Sequence, residues 1–268
     1  MLEFLKTRVY RIPFADFVIG SIRQELASRY TGSLLGRLWI ILQPLTMILI
    51  YTLVFSRIMH SRLPGMDNDF AYSVFLCAGL LPWGFFSDTL GRCQSVFTDN
   101  AHLLKKRAFP KSCLVQIAAG VCSFSFAVIF SLYLLFLILS GLFPGWSILL
   151  ILPVLVLQTL LAVGLGLAVG IIHVFFRDAG QLVGLGLQLG FWFTPIVYPP
   201  SILPNWVHHV IFVFNPMAGI VNWYQAVFLQ SALPSFLTLL PACIFTLLAI
   251  LSARWLLLRR GDEIVDLL

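Results

Sequence analysis

Charge is scarce in this sequence. Of 268 residues only 10% are Asp, Glu, Lys or Arg, whereas 60% are hydrophobic and the mean hydropathy is +0.96. A soluble domain carries about 25% charged residues, so the chain is expected to be a polytopic membrane protein. No Gly-Lys dipeptide occurs, which removes the G-x-x-x-x-G-K-[ST] phosphate loop and ATP binding by that route. The five histidines, His60, His102, His173, His208 and His209, have no HExxH or other metal-ligand spacing. A G-x-S-x-G nucleophile elbow is missing too. The five cysteines, Cys77, Cys93, Cys113, Cys122 and Cys243, are odd in number, form no C-x-x-C pair and lie in or beside apolar runs. They read as small buried hydrophobes rather than disulfides or metal ligands. No short apolar region with a small-residue cleavage site follows the basic stretch Met1–Arg11, so the first span is expected to stay in the mature protein. Ionisable residues are nearly absent from the apolar runs, with Asp88 and His173 close to run ends. Pumps and proton-coupled carriers need buried carboxylates or histidines as relays, so neither an ion-coupled carrier nor an ion channel is favoured.

What charge there is has a pattern. Three of the four lysines, Lys105, Lys106 and Lys111, gather with Arg107 in an island between two long apolar runs, Asp99–Lys111. Each Lys or Arg at mid-bilayer costs about 2.5–3.5 kcal/mol on insertion scales, and short basic loops stay cytoplasmic. The island therefore orients the spans on either side of it. Before the first span, Phe14, Phe17, Val18, Ile22 and Leu26 recur at helical spacing opposite Asp16, Arg23, Gln24 and Ser28, with Pro13 suited to a first turn. Phe14–Ser28 is read as an amphipathic helix in the cytoplasmic interface.

The spans expected are Leu34–Phe55, Ala71–Leu90, Leu114–Phe143, Ile148–Phe176, about Leu182–Val197 and Phe236–Leu258. Pro44 and Pro82 interrupt the first two, and an Asp88–Arg92 pair is expected on the second. An external loop Arg57–Asp69 and an external turn at Pro144-Gly145 join them. Gly180/Gly184 and Gly186/Gly190 are small-x-x-x-small pairs that permit close helix approach. The uncharged stretch Tyr198–Pro234 is broken by Pro199-Pro200, Pro204 and Asn215-Pro216, and is read as two short helices that dip in from outside. The fold class is thus all-α integral membrane: six transmembrane helices, an N-terminal interfacial helix, and two re-entrant external helices between spans five and six. Residues 1–33 form the cytoplasmic N-terminus, 34–258 the transmembrane domain and 259–268 a cytoplasmic tail. Aromatics make up 14% of the chain, many toward the ends placed outside. They suit the headgroup belt, or a ring-lined path along which a sugar polymer slides through weak contacts.

These features meet a family pattern. Arg29-Tyr30-Thr31-Gly32-Ser33, Leu35-Gly36, Trp39, Pro44-Leu45, Tyr51 and Val54-Phe55 resemble the opening of ABC-2 type permeases that export polysaccharides. Phe175-Phe176-Arg177-Asp178, Thr194-Pro195-Ile196, Tyr198, Leu203-Pro204 and Asn215-Pro216 resemble the same family in matching order, over nearly the whole chain. O-antigen permeases match best. The resemblance implies a transport subunit, not an enzyme, at the bacterial inner membrane with both termini cytoplasmic. It implies a homodimer joined to two copies of a separate ATPase that holds ATP and Mg, with no cofactor in this chain. The substrate implied is lipid-linked O-antigen; capsule, teichoic acid or a small hydrophobic compound are alternatives. A lipid-modifying membrane enzyme is the reading from another class, but it needs a polar catalytic cluster. The implied ATPase-coupling residues are Asn100, His102, Lys105, Lys106, Arg107, Lys111, Arg177 and Asp178. Candidates for loading the lipid pyrophosphate are Arg23, Arg29 and Arg37. Tyr51, Phe55, Phe191, Trp192, Phe193 and Tyr198 would line the polymer path, and Pro204, Trp206, Asn215 and Pro216 the external gate.

Overall fold

The computed structural model describes residues 15–28, 36–54, 71–105, 110–229, 233–261 and 263–267, and every regular element among them is helical. The elements are α1 (Ala15–Ser28), α2 (Trp39–Thr52), α3 (Ala71–Asp99), α4 (Ala101–Leu104), α5 (Lys111–Leu139), α6 (Ile151–Phe175), α7 (Asp178–Phe193), α8 (Asn205–Phe214), α9 (Pro216–Phe228), α10 (Leu240–Arg260) and α11 (Glu263–Leu267). Counting the 3-10 turns that lead into α6 and α10, four helical stretches are long and apolar enough to cross a bilayer: Ala71–Asp99, Lys111–Leu139, Gly145–Phe175 and Phe236–Arg260. These are the expected second, third, fourth and sixth spans. The expected first and fifth spans contain helices of 14 and 16 residues, α2 and α7. At ~1.5 Å per residue, neither covers a ~30 Å hydrocarbon core as an α-helix alone. The loop Arg57–Asp69 lies outside the described residues.

Proline decides where α7 stops. The residue before proline is pushed to extended backbone, and Thr194, before Pro195, has φ −96° and ψ 133°. The helix therefore ends at Phe193, short of the expected Val197. Pro82, by contrast, is carried inside an unbroken α3. Beside it the Gln158 amide of α6 donates to the Pro82 carbonyl at 2.6 Å, and the Tyr133 hydroxyl of α5 donates to Val74 at 3.0 Å. These bonds tie α3 to α6 and α5, but neither goes to the Ala78 carbonyl, the acceptor that Pro82 leaves without its helical partner.

α3 is the most buried of the long helices and packs on α5, α6, α7 and α9. Glycine sets how close α6 comes. A methyl at Gly166 would stand 2.6 Å from Cys93 Cβ, and one at Gly170 would stand 2.8 Å from the Cys93 carbonyl oxygen. Lipid is as apolar as a leucine side chain, so helices gain by close packing rather than by escape from water. The main core joins Phe85, Phe86, Phe126, Tyr133, Leu161, Trp223 and Tyr224 from α3, α5, α6 and α9. On α7 the apolar face Leu182, Leu185, Leu189 and Trp192 is exposed. Gly180 and Gly190 press on neighbours within the chain, while Gly184 and Gly186 have open space.

Two connections differ from expectation. Arg92 pairs not with Asp88 but with Glu25 of α1 at 2.5 Å. The i,i+4 spacing would have suited Asp88, but α1 packs on α5 beside α3 and brings Glu25 to the guanidinium instead. α1 also seats Ile22 in the notch at Gly120 of α5, so part of its apolar face meets protein while Phe17 and Ile19 remain exposed. The tail is not a loose extension either. α11 folds back and Ile264 is fully buried.

Candidate functional site: coupling corners and outer arm

One end of the bundle gathers both corners read as coupling segments. A second buried cluster joins Val96 and Phe97 of α3, Leu104 of α4, Leu114 of α5, Ile171 of α6 and Ile264 of α11. Backbone N–H groups of Leu103 and Leu104 donate to the Asn100 carbonyl at 3.0 and 3.2 Å, and the Asn100 side chain donates to Val96 at 2.9 Å. Buried Leu104 fixes this single turn, which leaves His102 and Lys105 exposed. Lys106 and Arg107 lie outside the described residues.

The second corner is short: Phe176 and Arg177 link α6 to α7. Arg177 and Asp178 are exposed, and Asp178 in the first turn of α7 complements the positive helix end. Space beneath the corner is tight, since a methyl on Gly180 would meet Gln94 Nε2 at 2.7 Å and His173 Cε1 at 2.8 Å.

Lys111 behaves differently from the other coupling candidates. Its ammonium donates to the Gly261 carbonyl at the end of α10, where a cation satisfies an orphan acceptor and the negative helix end. Arg260 lies over the Phe175 ring at 5.7 Å and pairs with Glu263 at 2.6 Å. Lys111 is thus engaged within the chain, in a clasp that ties α5, α6, α10 and α11 together.

At the other end the chain breaks where Asn215-Pro216 stand. α8 and α9 meet at a bend of 105°. Pro216 occupies the first turn of α9, where its missing N–H costs nothing. Asn215 caps α9 by accepting from the Met217 N–H at 3.0 Å, and its amide donates to Thr194 Oγ1 at 2.8 Å and the Phe193 carbonyl at 3.3 Å. One side chain therefore starts α9 and fastens it to the end of α7, while the Asn215 backbone N–H closes α8 on the Ile211 carbonyl at 2.9 Å. α9 is buried through Met217–Phe228 apart from half-buried Asn222, while α8 exposes Trp206, Val210, Val213 and Phe214. Pro204 precedes α8 as its N-cap.

The path aromatics divide. Phe191 packs edge-on against Trp83 and Trp192 at 6.0 and 5.4 Å between centroids. Trp192 and Phe193 are 63% and 61% exposed, and the Tyr198 hydroxyl donates to the Trp192 carbonyl at 3.0 Å. Phe55 lies outside the described residues, as does the Tyr51 side chain. Of the loading arginines, Arg23 is exposed on α1; Arg29 and the Arg37 side chain fall outside the described residues. Sequence reasoning gave no site role to Glu25, Thr194 or Ile264, although Thr194 stood in the family pattern. Only Thr194 carried a usable signal, as the residue before a proline that ends a helix.

Long apolar helices packed by glycine contacts, with proline-broken helices at one end, define a multi-pass membrane protein. The chain belongs to the ABC-2 type transporter family, whose pattern matches residues 18–229. It is similar to the O-antigen export system permease protein RfbA of Myxococcus xanthus, 29% identical over 256 residues that cover 94% of this chain and 95% of that one. A protein of the same name from Klebsiella pneumoniae is 28% identical over 219 residues, 81% of this chain and 82% of that one. The polysialic acid transport protein KpsM of Escherichia coli is 23% identical over 237 residues, 85% and 86% of the two chains.

Proposed function

We propose that this chain is the permease subunit of an exporter that moves lipid-linked O-antigen polysaccharide across the bacterial inner membrane, driven by a separate ATPase. The observation that carries the reading is its similarity, over nearly the full length of both chains, to a protein named an O-antigen export permease. The gathering of both coupling corners at one end of the bundle supports it. In this reading six spans cross the membrane, with α2 and α7 extended by their flanking residues, and both termini face the cytoplasm. Two copies pair, and the exposed apolar face of α7 with its open glycines is one surface suited to a second copy or to lipid. ATP and Mg sit on the partner. Closure of the ATPase dimer pushes His102, Lys105, Arg177 and Asp178, and the force passes through Leu104 and Ile171 into α3 and α6. Arg23, Arg29 and Arg37 receive the lipid pyrophosphate, since charge-assisted bonds to phosphate are the stronger kind. Trp192, Phe193 and Tyr198 line the outer part of the path, and α8 with α9 gates it.

The test is co-purification from native membranes in mild detergent. An ATPase subunit in equal amount is expected, and reconstituted export should fail when Lys105 and Arg177 are both changed to Glu. Intact dimers without an ATPase would overturn the reading.

A further inference from the structure

Beside the Glu25–Arg92 pair lies a cavity of about 320 Å³, lined by Ser87, Asp88, Gly91 and Arg92 of α3 and by Cys122 and Ser125 of α5. That volume falls at the lower end of the ~300–1,000 Å³ usual for small-molecule sites. The α3 residues, at i, i+1, i+4 and i+5, share one helix face.

The depth of the cavity follows from helix length. At ~1.5 Å per residue, Asp88 and Arg92 stand roughly 26 and 32 Å along α3 from its start at Ala71. A ~30 Å hydrocarbon core entered at Ala71, where the expected second span begins, ends between them. The cavity therefore opens at headgroup depth.

Its chemistry has both signs. Arg92 gives one N–H to Glu25, and a guanidinium has five, arranged in a fork that matches phosphate oxygens. Asp88 is exposed and makes no ion pair or hydrogen bond among the described residues. The Ser125 hydroxyl lines the same space. Glu25, Asp88 and Arg92 together carry one net negative charge, so a bare phosphate is disfavoured, while a bare amine pairs with Asp88 but leaves the remaining guanidinium N–H groups unused. A group carrying phosphate and primary ammonium a few ångströms apart satisfies both.

We propose that this cavity binds the phosphoethanolamine headgroup of a membrane lipid, with its phosphate on Arg92 and Ser125 and its ammonium on Asp88. The bound lipid then wedges between α3 and α5 beside the seat of α1. This assignment rests on the position of α3 in the bilayer and is independent of the exported substrate.

Native mass spectrometry of the full-length protein in mixed vesicle lipids tests it. Wild-type protein should retain phosphatidylethanolamine about tenfold over phosphatidylglycerol, which lacks the ammonium, and over phosphatidylcholine, whose ammonium has no N–H to donate. One charge-assisted bond accounts for a difference of about that size. Asp88→Asn, nearly isosteric and without a described partner to lose, should erase the preference while leaving the protein's thermal midpoint unchanged. Equal retention of the three lipids by the wild type would overturn the site. So would an unaltered preference in Asp88→Asn. The two wild-type comparisons decide the matter even if the variant fails to fold.

Discussion

Asn215 concentrates two jobs in one side chain, cap of α9 and tie to Thr194, while its backbone N–H closes α8. Losing an N-cap costs about 0.5–2 kcal/mol, and here the tie to α7 is lost as well. Asn215→Ala is expected to lower the unfolding midpoint in detergent and to weaken export. Asn215→Asp keeps the acceptor for Met217 but no donor for Thr194, so it should fall between. Gly170 makes the opposite kind of demand, for room rather than bonds. A methyl there meets carbonyl oxygens of Cys93 and Gln94 at 2.8 and 3.0 Å, and these atoms belong to helix backbone. Gly170→Leu is therefore expected to force α6 off α3, read as loss of monodisperse protein on size exclusion, whereas Gly84→Ala, at an open position of α3, should leave the profile unchanged.

At the scale of elements, the second cluster sets the coupling corners. Ile264 is fully buried among residues of four other helices, and Ile→Ala at such a site costs about 2–5 kcal/mol. Ile264→Ala is expected to raise protease cleavage within 100–111 and to lower export more than it lowers the bulk unfolding midpoint. A fall in the midpoint without added cleavage would show that α11 supports the bundle without holding the corner. This clasp marks the limit of what could be read from the chain. The long helices were legible because apolar runs and their proline and glycine stops are local, and the α8–α9 break was announced by Asn215-Pro216. The end of α7 was misjudged because the run stays apolar through Val197, and hydropathy does not register the backbone restriction at Thr194. The Glu25–Arg92 and Lys111–Gly261 contacts span 67 and 150 residues. Nothing local to either partner marks the other, and Arg92 had a nearer carboxylate in Asp88. Of the candidate site, the exposed corners were legible, while the clasp that holds them was not.

For the whole molecule, the arrangement is polarised. Among the described residues, exposed charge such as Lys105, Arg177 and Asp178 gathers at the corner end, whereas α8 and α9 carry no Lys, Arg, Asp or Glu. Single cysteines placed at His102 and at Trp206, in a background freed of native cysteines, are expected to react with membrane-impermeant maleimide from opposite faces, His102 only in inside-out vesicles. Labelling of both from one face would overturn the orientation. The buried seat of Ile264 also has a meaning in time. Ile264 follows each of the long described helices in the chain, so the second cluster lacks one of its buried side chains until α11 is made. Until then α3, α5 and α6 are made while the cluster that joins their ends is incomplete. α11 thus makes the packing of the corner depend on the latest-made of the described helices.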